Sequence, residues 1–183
     1  MTRQLALLGS AVCLVLSAGG AAAVDLPIRK AGLWEMKMIF EGRSLPPQTM
    51  QHCVDATTDK LMNSQFGGMS KEACSKQDMQ KSGNTITMDS VCKFGPATST
   101  SHAVITGSFD QAYTIKMTST REGGPQMPGV APGQQTNMTI EAKWVGPCKP
   151  DQKPGDVVMA NGRKMNVLEM PSIPGARPQQ PPR

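Results

Sequence analysis

Four cysteines, Cys53, Cys74, Cys92 and Cys148, limit what this chain can fold into more than any other feature, because the segment ahead of them directs it to an oxidising compartment. Arg3 is followed by an apolar run from Leu5 to Ser17 and then by the small residues Gly19-Gly20-Ala21-Ala22-Ala23. Basic, apolar and small segments in that order form a secretory leader, with cleavage expected after the Ala21-x-Ala23 pattern. The apolar run is shorter than the roughly 20 residues that a bilayer span needs. Residues 1–23 are therefore expected to be removed, leaving a periplasmic or secreted protein. A fifth cysteine, Cys13, lies inside the apolar run, and Ser10-Ala11-Val12 before it lack the leucine of a lipidation site. No later stretch is apolar enough for a membrane span.

An even number of cysteines in such a compartment reads as two disulfides with three possible pairings. Local symmetry chooses among them. Cys74 and Cys92 are equidistant from Gly83, and Ser82-Gly83-Asn84 has the residues of a tight hairpin. A three-residue loop there pairs Lys81 with Thr85 and brings Cys74 opposite Cys92. A two-residue loop Gly83-Asn84 would place Ser75 opposite Cys92 instead, so bridge and loop length are expected to stand together. Cys53 is then left for Cys148. In the chain-entropy model the long bridge contributes roughly 4–5 kcal/mol and the hairpin bridge about 3 kcal/mol. Zinc sites favour closely spaced pairs such as CxxC, which this chain lacks.

The remaining pattern is that of strands. Along Ala31 to Gly42, Trp34, Met36, Met38 and Phe40 share one face, and Glu35, Lys37 and Glu41 the other. Thr49 to Val54 reads as a short extended piece, and Thr57 to Met62 as a one- or two-turn helix ended near Phe66-Gly67-Gly68. After the cysteine hairpin, Ser99–Phe109 and Ala112–Thr120 form a second hairpin around Asp110-Gln111. A breaker-rich loop, Arg121 to Gln135, leads to a last strand, Thr136–Val145, with Met138, Ile140, Ala142 and Trp144 inward. The fold class expected is mainly β: a single antiparallel meander of about six strands, curled or half-barrel, with one short helix. The domain is expected to cover residues 26–149. Residues 150–183, rich in proline and glycine and ending in PQQPPR, are expected to be a mostly disordered tail. Within it Arg163 to Met170 is the one piece with a pattern for a short helix or strand.

These features together resemble a bacterial exported family known as domain of unknown function 3617. The likeness rests on Gly32-Leu33-Trp34-Glu35 opening the first strand, Cys53 after a short loop, the cysteine-flanked hairpin, and Gly146-Pro147-Cys148 closing the last strand. It spans Ile28 to Cys148 and implies a periplasmic β domain. It implies no catalytic residues.

Charge and motif content narrow the functional classes. The formal net charge of +5 falls by one when Arg3 leaves, and the charges are scattered without interleaved aromatics, so no nucleic-acid partner is expected. The chain has two histidines, His52 and His102, and no HExxH, GxSxG, phosphate-loop or dinucleotide pattern, so no enzyme and no cofactor are expected. Fourteen methionines stand beside only two Trp, one Tyr and four Phe. Flexible Met can fill a core in place of aromatics, and it can also ligate Cu(I). Met50 and His52, beside Cys53, are the candidates for that alternative. The preferred expectation is a non-catalytic module that binds a hydrophobic small molecule or an envelope protein, with Trp34, Met36, Met38 and Trp144 as candidate contacts.

Overall fold

The computed structural model describes residues 26–66, 73–125 and 130–169. The leader, Cys13 and residues 170–183 lie outside the described residues. Ten elements follow one another: β1 (Gly32–Glu41), β2 (Gln48–Val54), α1 (Ala56–Phe66), β3 (Cys74–Ser82), β4 (Thr85–Phe94), β5 (Ala97–Ser108), β6 (Ala112–Glu122), β7 (Thr136–Gly146), β8 (Asp156–Val158) and β9 (Lys164–Asn166). The strands form one open antiparallel sheet in the order β3-β4-β5-β6-β7-β1-β2-β8-β9. The mainly β, antiparallel class is as read from the sequence, but nine strands stand where about six were expected.

Two of the added strands occupy residues assigned above to the tail. Each is three residues long: β9 lies within Arg163 to Met170, the piece with a strand or helix pattern, whereas β8 falls where no pattern was read. They extend the sheet beyond β2, with Gln51 opposite Val158 and His52 opposite Val157. Backbone bonds lock them down: Gly155 N donates to Cys53 O at 2.8 Å, and Val167 N to Gly155 O at 2.9 Å. A buried polar pair completes the hold, with Asn166 Nδ2 donating to Asp156 Oδ1 at 2.7 Å. Burial alone would raise the Asp156 carboxyl pKa. Hydrogen bonds from Asn166 and the Lys153 amide, with the charge of Lys164, outweigh it and hold the group below its usual range. The folded domain thus reaches residue 169 and does not stop at 149.

Both disulfides have the expected partners, Cys53–Cys148 and Cys74–Cys92. The coupling of the second to a three-residue loop is corrected. Ser82 pairs with Thr85, so the loop is Gly83-Asn84, with Gly83 at φ 57°. A β-bulge between Cys74 and Lys76 absorbs Ser75 and shifts the register by one, which returns Cys74 to a position opposite Cys92. Turn chemistry and bridge are both satisfied because the strand carries one extra residue.

The helix also begins earlier than its pattern suggested. Asp55 caps it: Thr58 N donates to Asp55 Oδ1 at 2.8 Å, while Asp55 N donates to Thr58 Oγ1 at 3.0 Å. The Thr58 amide and then its hydroxyl, both donating to Asp55 Oδ1, hold that carboxyl below its ordinary pKa.

Side-chain alternation gives the sheet two unlike faces. One carries Glu35, Lys37, Lys116, Thr118, His102 and Asp89. The other carries Trp34, Ile86, Ile105, Tyr113, Ala142 and Val157, all buried in one cluster with Val54, Val167 and Met62 of α1. One glycine at the first strand's entrance is set by close approach. Gly32 has φ 130°, and a Cβ there would collide with Gly146 O and lie 2.6 Å from the Trp144 ring nitrogen. The Gly-Leu-Trp-Glu and Gly-Pro-Cys segments, more than a hundred residues apart, therefore meet, with Leu33 opposite Gly146.

Candidate functional site

One end of the apolar face is plugged by a buried ion pair. Arg29 donates from its backbone N to Asp59 Oδ2 at 2.7 Å and from Nε to Asp59 Oδ1 at 2.6 Å. Asp59 has no exposed surface. The guanidinium continues to the thioethers of Met36 and Met62, each at 3.6 Å, and lies 5.8 Å from the centre of the Trp34 ring. Tyr113 closes the group, stacked on Phe109 at 4.6 Å. Burial raises its phenol pKa, with the Arg29 charge acting against that shift. α1 supplies Asp59 and Met62, so the helix lies on this face and at this end. Sequence reading missed the pair because its members are thirty residues apart and neither sits in a motif.

His52 is next to the plug, opposite Trp34 on β1 and Val157 on β8. Its Nε2 is 3.1 Å from Met50 Sδ, and its buried Nδ1 has no hydrogen-bond partner. Burial, and then the positive charge of Arg29, push its pKa down to about 3. The residue is neutral throughout the physiological range. Met50 and His52 do converge, as a soft-metal pair requires, and Met36 is the cross-strand neighbour of Met50. The Arg29 charge that keeps a proton off His52 also opposes a metal cation there.

Beyond the plug the face is open. Met38 pairs with Ile140, Phe40 with Met138, and Met138 with Met117. These five side chains are half-buried and lie outside the contact cluster that forms the core. Among the described residues, α1 is the only helix, and no second layer covers this strip. One step further along the strands the row turns to hydroxyls. Ser119 Oγ and Thr136 Oγ1 are 2.9 Å apart, and Ser90 Oγ and Ser101 Oγ are 2.7 Å apart. The next step reaches Arg121, opposite Ser99. Here a cleft of about 250 Å³ is lined by Phe94, Ser119, Arg121, Val130 and Thr136. A second, of about 370 Å³, adjoins it through Val130, Gln134 and Thr136 and includes Arg43, whose guanidinium is 5.9 Å from the centre of the Phe40 ring.

The four contacts expected from sequence are divided by this geometry. Trp34 is fully enclosed, its Nε1 donating to Lys30 O at 2.8 Å, and belongs to the core. Met36 is packed against the plug. Trp144 is covered by Lys30, whose Nζ lies 3.7 Å from the ring centre, and its Nε1 donates to Ala31 O at 3.1 Å. Met38 alone lies on the open strip. Phe40, Met117, Met138 and Arg121 join it, and alternation along three strands could have grouped the first three once pairing was known.

On the opposite face His102 Nδ1 is 2.8 Å from Asp89 Oδ1, both about half exposed. The two clefts above lie elsewhere. Among the described residues no group of three or more His, Cys, Asp or Glu side chains is placed to hold a metal ion, and no helix is long and apolar enough to cross a membrane.

The family model described as protein of unknown function (DUF3617) matches residues 29–148. The chain belongs to this family. The DUF3617 match begins at Arg29 of the ion pair and ends at Cys148 of the long bridge, so it contains both ends of the plug and both disulfides. β8 and β9 follow the DUF3617 segment and complete its sheet at the β2 edge. No curated protein and no solved structure matches the chain.

Proposed function

We propose that this protein is an exported, non-catalytic binding module whose open methionine strip takes an apolar ligand. The observation that carries the reading is a nine-stranded sheet with one face apolar and, among the described residues, a single 11-residue helix to cover it. A single layer must bury its apolar face against something, and the half-buried side chains of this strip have no helix over them among the described residues. Met117, Met138, Met38 and Phe40 suit that task, since thioether chains adapt to ligands of varied shape. Two disulfides and a leader support residence in the periplasm or outside the cell. The bridges also occupy all four cysteines of the domain, which supports a role without a thiol nucleophile.

The test is direct. Protein recovered from the periplasm of an expressing cell is expected to carry a co-purifying lipid-sized mass in native mass spectrometry. It is also expected to raise the fluorescence of the neutral probe N-phenyl-1-naphthylamine. A bare protein mass together with no probe binding would sink the reading.

The 3.1 Å contact between Met50 Sδ and His52 Nε2 favours a second reading, a Cu(I) site. Saturation only at millimolar metal in a Cu(I) competition titration would remove it.

A further inference from the structure

The open strip ends in hydroxyls and then in the half-buried guanidinium of Arg121, which lines the first cleft. Arg121 Nε is buried without a hydrogen-bond partner. The side chain lines the cleft, where an oxyanion can accept charge-assisted hydrogen bonds from the N–H groups that face it. Arg121 lies on the same face of β6 as Ser119 and Met117, at successive alternate positions. Alternate residues are roughly 7 Å apart along a strand, so a ligand head at Arg121 is about 13 Å from Met117. Hydroxyls of Ser119 and Thr136 fill the interval, and the adjoining cleft carries a second guanidinium, Arg43, together with the Glu41 carboxylate. At the opposite end Arg29 is neutralised by Asp59 and enclosed. The face thus presents a one-ended sequence of cation, hydroxyls and thioethers.

We infer that the ligand is a single-headed anionic amphiphile, with its carboxylate or phosphate at Arg121 and its hydrocarbon tail along Met117, Met138 and Met38. This rests on the binding role proposed above and adds the head group and its direction. A planar guanidinium accepts either anion through paired N–H donors, so the shared chemistry is an oxyanion on an apolar chain.

The experiment is competition against N-phenyl-1-naphthylamine on the exported protein, with oleate, oleyl alcohol, dodecyl phosphate and inorganic phosphate as competitors. Oleate is expected to displace the probe at a concentration at least about tenfold below that of oleyl alcohol. R121Q is expected to shrink that ratio towards one, whereas K116Q, which removes a charge from the other face of the same strand, keeps it. Equal potency of acid and alcohol on the unmodified protein would overturn the head-group assignment while leaving the apolar reading intact. An undiminished ratio in R121Q would do the same. Displacement by inorganic phosphate as potent as that by dodecyl phosphate would assign the cleft to a free anion and overturn the amphiphile. Absence of probe binding removes the parent reading, and this inference with it.

Discussion

Acid should destabilise this fold through one identifiable side chain. His52 is buried, its pKa pushed down to about 3 by desolvation and by Arg29, against an ordinary value of 6.5. Below pH 6.5 the unfolded chain takes up a proton at His52 that the folded protein refuses. Stability from this group is therefore complete above pH 6.5 and is lost as pH falls towards 3. Each unit of pH in that window is worth roughly 1 kcal/mol, so the loss is about 1 kcal/mol at pH 5.5 and about 2–3 kcal/mol at pH 4.5. Other groups titrate over the same range, so the quantity to measure is a difference. Urea unfolding of the wild type and H52Q, followed by tryptophan fluorescence at pH 7.5, 5.5 and 4.5, isolates it. The absolute stability of H52Q at pH 7.5 does not matter. The gap between the two proteins should shift in favour of H52Q by about 1 and then about 2–3 kcal/mol. A gap constant within about 0.5 kcal/mol from pH 7.5 to 4.5 would refute the reasoning, because His52 would then take up its proton equally in both states.

Two further outcomes probe the plug and the strand entrance. Asp59→Asn strands the Arg29 charge in the core and should cost about 3–5 kcal/mol, seen as a large fall in Tm, whereas the paired replacement R29M/D59L should recover most of it. Gly32→Ala places a Cβ against Gly146 at φ 130° and should destabilise by at least about 1–3 kcal/mol in denaturant titration, while Gly83→Asn, at an open turn position, should change stability much less.

Much of the sheet was legible because its cues are local. Period-2 alternation in residues 33–40 and 113–117 reports half-buried strands wherever they end up, and Gly83-Asn84 reports a hairpin from backbone sterics alone. The cysteine pairing was legible for the same reason, although the mechanism was not: a bulge at Ser75 does what a longer loop was expected to do. A bulge costs little and leaves no mark in a sequence that is polar on both sides of it. The candidate site was less legible. Trp34 and Trp144 look like ligand contacts by residue type, but Trp34 is enclosed by the core and Trp144 is covered by Lys30.

The residues by themselves determined the alternation, the turns, the bridges and the excess of methionine over aromatics, since each is a property of neighbours along the chain. Which methionines are core and which are surface was decided only in three dimensions. That outcome depends on α1 stopping at the Arg29–Asp59 end, on Phe40, Met138 and Met117 coming into register across three strands, and on residues 155–167 docking at β2. Such contacts join segments tens of residues apart, and their free energy comes from burial that no local window contains.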